Sequence, residues 1–296
     1  MYRFDPSRFA IPGLALLSLL LVLGIGVASY ERNRKYSLAI AAGARSGESY
    51  VLAQALKTVA ERHHQNLKIS VRETGGTAEN LALLERKDAQ LAAAQADVPT
   101  GPSARLVALL YVDVFQLLVH HDSQIRAFPD LAGKRVALPR KGGQYQSFLK
   151  VAEHFGLSAN DFQFVDEDIS TDAFLRSEAD AIFRVRALGN PAIRELARNG
   201  KVRLVGVQQA AAMRITIPSL EPAVIPEGAY RGHPPVPDHD LPTVAVQRML
   251  VAHADVGSEP IRWITSVLIE RREELAHAIP DEFAEIRALL ASVKTA

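Results

Sequence analysis

Three times along the chain a short apolar run ends in a polar, glycine-bearing junction and then gives way to a helical pattern. Alternating Leu67, Ile69 and Val71 predict a strand that runs into Glu73-Thr74-Gly75-Gly76-Thr77, with Thr77 expected as N-cap and Asn80 at the third helical position. Leu38 to Ile40 leads in the same way into residues 41–50, and Arg135 to Leu138 leads into residues 139–147. The helix after the first junction is predicted from Glu48 to His64, with Leu52, Leu56, Val59 and Ala60 forming one stripe. Ala89 to Ala94 reads as a further buried strand. Strand and helix therefore alternate in the doubly wound α/β manner, which binds ligands at the carboxyl ends of its strands.

Two longer apolar runs, Leu109 to Asp122 and Thr243 to Asp255, resemble each other and read as paired strands crossing between two lobes. Between them lies a second α/β unit, with strands expected at residues 135–138, 179–183 and 202–207. Residues 217–242 hold seven prolines and are expected to form a loop excursion. Helices opened by Pro260 and Pro280 return to the first lobe. The expected organisation is residues 1–35 as a membrane or signal segment with its linker, 36–118 as the first part of lobe 1, 119–246 as lobe 2, and 247–296 as the return to lobe 1.

Composition narrows the functional classes. The 34 Lys and Arg nearly cancel the 33 Asp and Glu, so no general basic field exists to hold nucleic acid. The absence of cysteine removes disulfides, thiolate metal sites and cysteine nucleophiles. Phe9 to Tyr30 is a run of 22 uncharged residues, and at about 1.5 Å per residue its helix would reach roughly 33 Å, enough to span a bilayer core. An uncleaved anchor is expected ahead of a removed signal segment, with a buried core helix as the remaining alternative. Basic residues flank both ends, so charge alone does not orient the segment, and the expected location is the periplasm or the extracytoplasmic face of the membrane.

The candidate chemistry gathers at the three junctions. Ser46, Tyr50, Thr77 and Asn80 offer polar groups at adjacent strand ends, while Arg45, Arg140 and Lys141 put cations beside them. Gly142, Gly143 and Gln144 present backbone N–H groups and a helix dipole to an anion, and Tyr145 follows them. Arg184, after the apolar Ala181-Ile182-Phe183, is the candidate carboxylate clamp. Capping alone is the alternative role for Ser46 and Thr77, and solvated loop charge the alternative for the basic side chains. Asp97 closes a strand and suits either a ligand ammonium or a contact between lobes. Neither a dinucleotide fingerprint nor a Gly-x-Ser-x-Gly elbow is present, and adjacent histidine pairs cannot chelate one metal. No cofactor and no metal is implied.

Taken in order, Gly43-x-x-Ser46-Gly47-x-x-Tyr50, Thr74-Gly75-Gly76-Thr77-x-Glu79-Asn80-Leu81, Gln95-Ala96-Asp97, Asp130-Leu131-x-Gly133-Lys134-x-Val136, Asp180-Ala181-x-Phe183 and Ile225-Pro226-x-Gly228-x-Tyr230 resemble the TAXI-type solute-binding subunits of TRAP transporters. That resemblance implies a two-lobed type II periplasmic binding-protein fold closing on a small organic anion, glutamate-like or a 2-oxo acid, which passes to a membrane permease. The family's usual Gly-Ser-Gly-Thr in the third junction is here Lys141-Gly142-Gly143-Gln144-Tyr145. Two further readings stay open: a sensory input subunit for a membrane signalling protein, and an enzyme on the same fold.

Overall fold

The computed structural model describes residues 19–23, 34–140, 142–165, 171–198, 200–290 and 293–295. In chain order the elements that build the cleft are β1 (Tyr36–Ala41), α1 (Glu48–His63), β2 (Leu67–Arg72), α2 (Thr77–Glu85), β3 (Leu91–Gln95) and β4 (Ala104–His120). There follow β5 (Arg135–Ala137), α3 (Gly143–His154), β6 (Gln163–Val165), α4 (Thr171–Leu175), β7 (Ala181–Arg186), α5 (Pro191–Arg198) and β8 (Val202–Val205). The chain then forms α6 (Ala210–Thr216), β9 (Leu220–Ile225), the short pair β10 (Arg231–Gly232) and β11 (Pro235–Val236), β12 (Leu241–His253), and the returning helices α7 (Ser258–Glu270), α8 (Arg272–His277) and α9 (Ala284–Leu289).

Two long strands carry the architecture. β4 and β12 pair antiparallel from Val114 opposite Ala245 to Ala104 opposite His253, with two register shifts on the way. On one side β12 takes β3, then β1 and β2; on the other β4 takes β7, then β5 and β6, so the main path runs β2-β1-β3-β12-β4-β7-β5-β6. The β1–β2 and β5–β7 pairings are parallel, as helical crossovers require. Both expected crossing strands are therefore present and paired. β7 extends to Arg186, so Arg184 and Arg186 stand within the strand rather than after it.

The proline-rich stretch is more ordered than its composition suggests. β9 pairs with β12 over six positions, from Leu220 opposite Val246 to Ile225 opposite Leu241. Pro222 is accommodated because, among the described strands, β9 pairs only with β12, and an edge strand can spare an N–H. Of the apolar run 9–30, only residues 19–23 are described, as helix; among the described residues no helix is long and apolar enough to cross a membrane. Lys141 and Ser170, the latter expected to cap α4, lie outside the described residues.

Each lobe has its own core. In the first, Leu52, Leu56 and Val59 of α1 pack with Leu38 and Ile40 of β1 and with Ile264, Leu268, Leu275 and Ile286 of the returning helices. In the second, Phe148 of α3 is fully buried, with its ring centroid 5.0 Å from Phe128, 4.9 Å from Phe162, 5.6 Å from Phe164 and 5.3 Å from Phe183. Such tilted and edge-on pairs add to the burial of apolar area. Phe148→Ala should destabilise the protein by about 3 to 5 kcal/mol, since neighbouring rings cannot collapse into the space. Urea unfolding followed by circular dichroism checks this, and a loss under about 1 kcal/mol would contradict the packing described.

Candidate functional site

The three junctions meet. Residues 42–47 after β1, 73–77 after β2 and Leu138, Pro139 and 142–144 after β5 line one cleft of about 630 Å³, together with Gln95, Arg186 and Arg248. The helices that start here have glycine N-caps, Gly47 for α1, Gly76 for α2 and Gly142 for α3, and no side chain caps any of them. Gly76 at φ +106° and Gly142 at φ +83° adopt conformations that a Cβ disfavours. Thr77 is accordingly the first residue of α2 and not its cap: Gly76 takes the strained turn, and the threonine hydroxyl turns down into the floor.

The three helix starts differ in charge. Glu48 opens α1, and its buried carboxylate accepts from Asn190 at 2.8 Å and from Arg186 at 3.3 Å. In α2, Glu79 reaches back to accept the Gly75 amide at 2.7 Å, while the Gly76 amide donates to Thr74. The first turn of α3 carries no acid. Helix N-termini favour negative charge; α1 and α2 are served by their own carboxylates, and the first turn of α3 by none.

The floor is a buried polar chain. Asp113 on β4 and Arg248 on β12 form a two-pronged ion pair, Nε to Oδ2 at 2.8 Å and Nη2 to Oδ2 at 2.5 Å. Arg248 stands opposite Tyr111, which makes Asp113 its diagonal neighbour. Burial pushes the Asp113 carboxyl up, to about 6, against the pull of Arg248. Burial is the largest single influence on Arg248 and lowers it, but Asp113, Tyr111 and Glu48 together outweigh it and the guanidinium is raised. Arg248 donates onward to the Thr77 hydroxyl, which donates to Gln95; Gln95 donates to Ser147, and Ser147 donates to Asp97 at 2.7 Å. Lys150 of α3 also bonds Asp97. These contacts join the strand ends of the first lobe to α3 of the second, so Asp97 serves a contact between lobes.

The expected site residues are partly brought together. Ser46, Thr77, Asn80, Gly142, Gly143 and Gln144 all line the cleft, as does Arg45, whose Nε donates to Glu73 at 2.7 Å across its rim. Asn80 is nearly inaccessible, its amide donating to the Ala93 carbonyl and its oxygen accepting from Thr74. Gln144 accepts the Val185 amide at 2.9 Å. Four of the candidate residues do not line the cleft. Tyr50 accepts from Gln54 and packs on the first core. Tyr145 packs edge-on against Phe164. Arg184 is half-buried, and one of its terminal nitrogens donates to the carbonyls of Ala137 and Phe183. Arg140 lies over the Phe164 ring at 5.2 Å.

Arg186, Arg248, Asp113 and Gln95 were not among the expected site residues. A signal was present: Asp113 and Arg248 are single charges inside otherwise apolar strand runs, and a charge in such a run needs a partner.

The chain belongs to the NMT1-like family, whose model matches residues 40–293. Its fold is similar to that of several solved proteins. The alkanesulfonate-binding protein SsuA from Xanthomonas axonopodis pv. citri, bound to MOPS, is 17% identical with a TM-score of 0.55, covering 88% of this chain and 87% of that one. A putative L-cystine ABC transporter protein from Listeria monocytogenes is 12% identical with a TM-score of 0.54, covering 82% and 94%. The GluR0 ligand-binding core from Nostoc punctiforme, in complex with L-glutamate, is 12% identical with a TM-score of 0.51, covering 83% and 99%. The fold is thus that of the two-lobed periplasmic binding proteins.

Removing one partner of the floor pair should strand a buried charge. Asp113→Ala is expected to cost about 3 to 5 kcal/mol, and Asp113→Leu combined with Arg248→Met should recover most of it. A double-mutant cycle in urea measures the coupling; a coupling below about 1 kcal/mol would show that the two groups do not depend on each other.

Proposed function

We propose that this protein is an extracytoplasmic solute-binding protein that closes its two lobes on a small organic anion and releases it unchanged. The observation that carries this reading is the start of α3, an acid-free helix N-terminus without a side-chain cap, set into a 630 Å³ cleft between the lobes. The cleft is of the size that small ligands occupy. In this reading the ligand's acid group rests on the first-turn amides of α3 around Gly142, Gly143 and Gln144. The rest of the molecule faces Ser46, Glu79 and the Arg45–Glu73 pair, a wall of mixed charge that suits a ligand bearing a hydrogen-bond donor besides its acid. A glutamate-like or 2-oxo acid meets that description, and the sulfonate and glutamate bound by structural neighbours are small molecules of the same charge class.

Delivery to a membrane permease, and the finer identity of a TAXI-type subunit of a TRAP transporter, rest on the six ordered motifs and on the kind of protein to which the fold is similar. Anchoring through residues 9–30 rests on the apolar length of that run. The division into residues 36–118, 119–246 and 247–296 draws on the two cores and on the pairing of β4 with β12, although Phe115 and Leu117 already pack in the second core and Ala187 in the first.

Gly143 cannot serve to test the anion seat, because a Cβ there would come within 2.1 Å of Gln95 and 3.0 Å of Thr77. Gln144→Glu is the cleaner variant. It retains an oxygen to accept the Val185 amide and adds a negative charge beside the seat. Native mass spectrometry of the purified full-length protein should identify a bound small acid, and calorimetry with that acid should show at least tenfold weaker binding to Gln144→Glu, about 1.4 kcal/mol. Equal affinity in the two proteins, or a bound ligand with no acid group, would overturn the reading.

A further inference from the structure

A second cavity, of about 470 Å³, lies between β8 and the proline-rich segment, and it shares no lining residue with the cleft. Its walls are built from two unlike surfaces. β8 pairs only with β4 among the described strands, and the His121 amide donates to the Lys201 carbonyl at 2.8 Å. By the alternation of a strand, the amides and carbonyls of Val202 and Leu204 belong to the other edge. Prolines 234, 235, 237 and 242 line the same cavity, and a proline has no N–H with which to extend the sheet. The segment is nevertheless held close, for a Cβ on Gly206 would come within 2.7 Å of the Pro242 carbonyl.

The charges in this cavity do not cancel. Arg126, Arg203 and Arg231 line it against the single carboxylate of Asp238, which is paired at 2.7 Å with His239. Arg231 is engaged by the carbonyls of Pro234 and Arg198. Arg203 donates through one nitrogen to the carbonyls of Ser123 and Ile125, while its Nε is buried with no partner among the described residues. The Arg126 guanidinium is exposed and has no partner among the described residues. Burial lowers Arg203 most and the repulsion of Arg126 lowers it further, with the Asp238 carboxylate pulling the other way; the net direction is down. An acid group bridging them would relieve that repulsion and accept from the exposed Arg126 guanidinium.

We propose that this cavity is a second ligand site, taking a small amphiphilic anion: a carboxylate or sulfonate on a planar apolar body, its acid between Arg126 and Arg203 and its body against the prolines. A bare oxyanion would use the guanidinium pair but leave the proline wall uncovered. Benzenesulfonate is the probe, with sulfate as the control lacking the apolar body. Titration of the full-length protein, followed by calorimetry and by amide shifts, should show saturable benzenesulfonate binding that moves Val202, Leu204 and Gly206. Sulfate should bind at least fivefold more weakly. Arg126→Gln should weaken benzenesulfonate at least fivefold and Arg126→Glu further still, with circular dichroism confirming that both variants are folded. Affinity unchanged in both variants, or shifts confined to Gly75, Gly76 and Gly142 of the cleft, would overturn the proposal. Sulfate binding as tightly as benzenesulfonate would overturn its amphiphilic part.

Discussion

Asp113 and Arg248 face each other in the floor of the cleft, both nearly inaccessible to water. Taking two such charges out of water costs several kcal/mol each, and their attraction offsets this best where the remaining donors and acceptors are used, as Arg248 Nη1 is by Thr77, although Asp113 Oδ1 has no partner among the described residues. That requirement propagates outward. Arg248 holds the Thr77 hydroxyl, which keeps the start of α2 close to Gln95, and Gln95 reaches Ser147 on α3. The pair also demands the register of β4 with β12, because a slip of one residue would turn either charge to the other face of the sheet. The long strands that join the lobes and the polar floor that the lobes share are thus fixed by one interaction.

Above this floor the arrangement discriminates by charge. Three helices aim their N-termini at one cleft, yet Glu48 and Glu79 answer the field of two of them. The cations are answered as well: Arg45 by Glu73, Arg186 by Glu48 and Arg248 by Asp113. An anion entering the cleft would therefore find its unspent partner in backbone N–H groups at α3, where the family resembled by the sequence usually places hydroxyl side chains. Backbone donors need no rotamer to be fixed, which keeps the seat ordered before a ligand arrives.

Much of this was legible in the residues. The strand–junction–helix pattern located all three cleft-lining turns, and the two matching apolar runs identified β4 and β12, because a period of two and a glycine pair are local signals. What could not be read locally was partnership across the sheet. Arg184 looked like a clamp from its position after an apolar run, but β7 continues two residues further and carries Arg186 to the cleft instead. Tyr50 and Tyr145 sit on helix faces that turn toward cores. Thr77 resembled a cap because threonine often is one, whereas the backbone gave that place to Gly76. The strand β9 was hidden by Pro222 and the prolines that flank it; an edge strand tolerates a proline and an interior one does not.

The central claim is that backbone N–H groups at the start of α3 hold the ligand's acid. Amide-resolved magnetic resonance during titration with the co-purified acid tests it most directly, because it reads those groups without altering them. The account predicts the largest downfield shifts at Gly142, Gly143 and Gln144, with smaller changes at Glu48 and Glu79, where carboxylates already occupy the helix ends. Saturating binding that leaves Gly143 and Gln144 unmoved, with the main shifts at the arginine side chains of the rim, would contradict it.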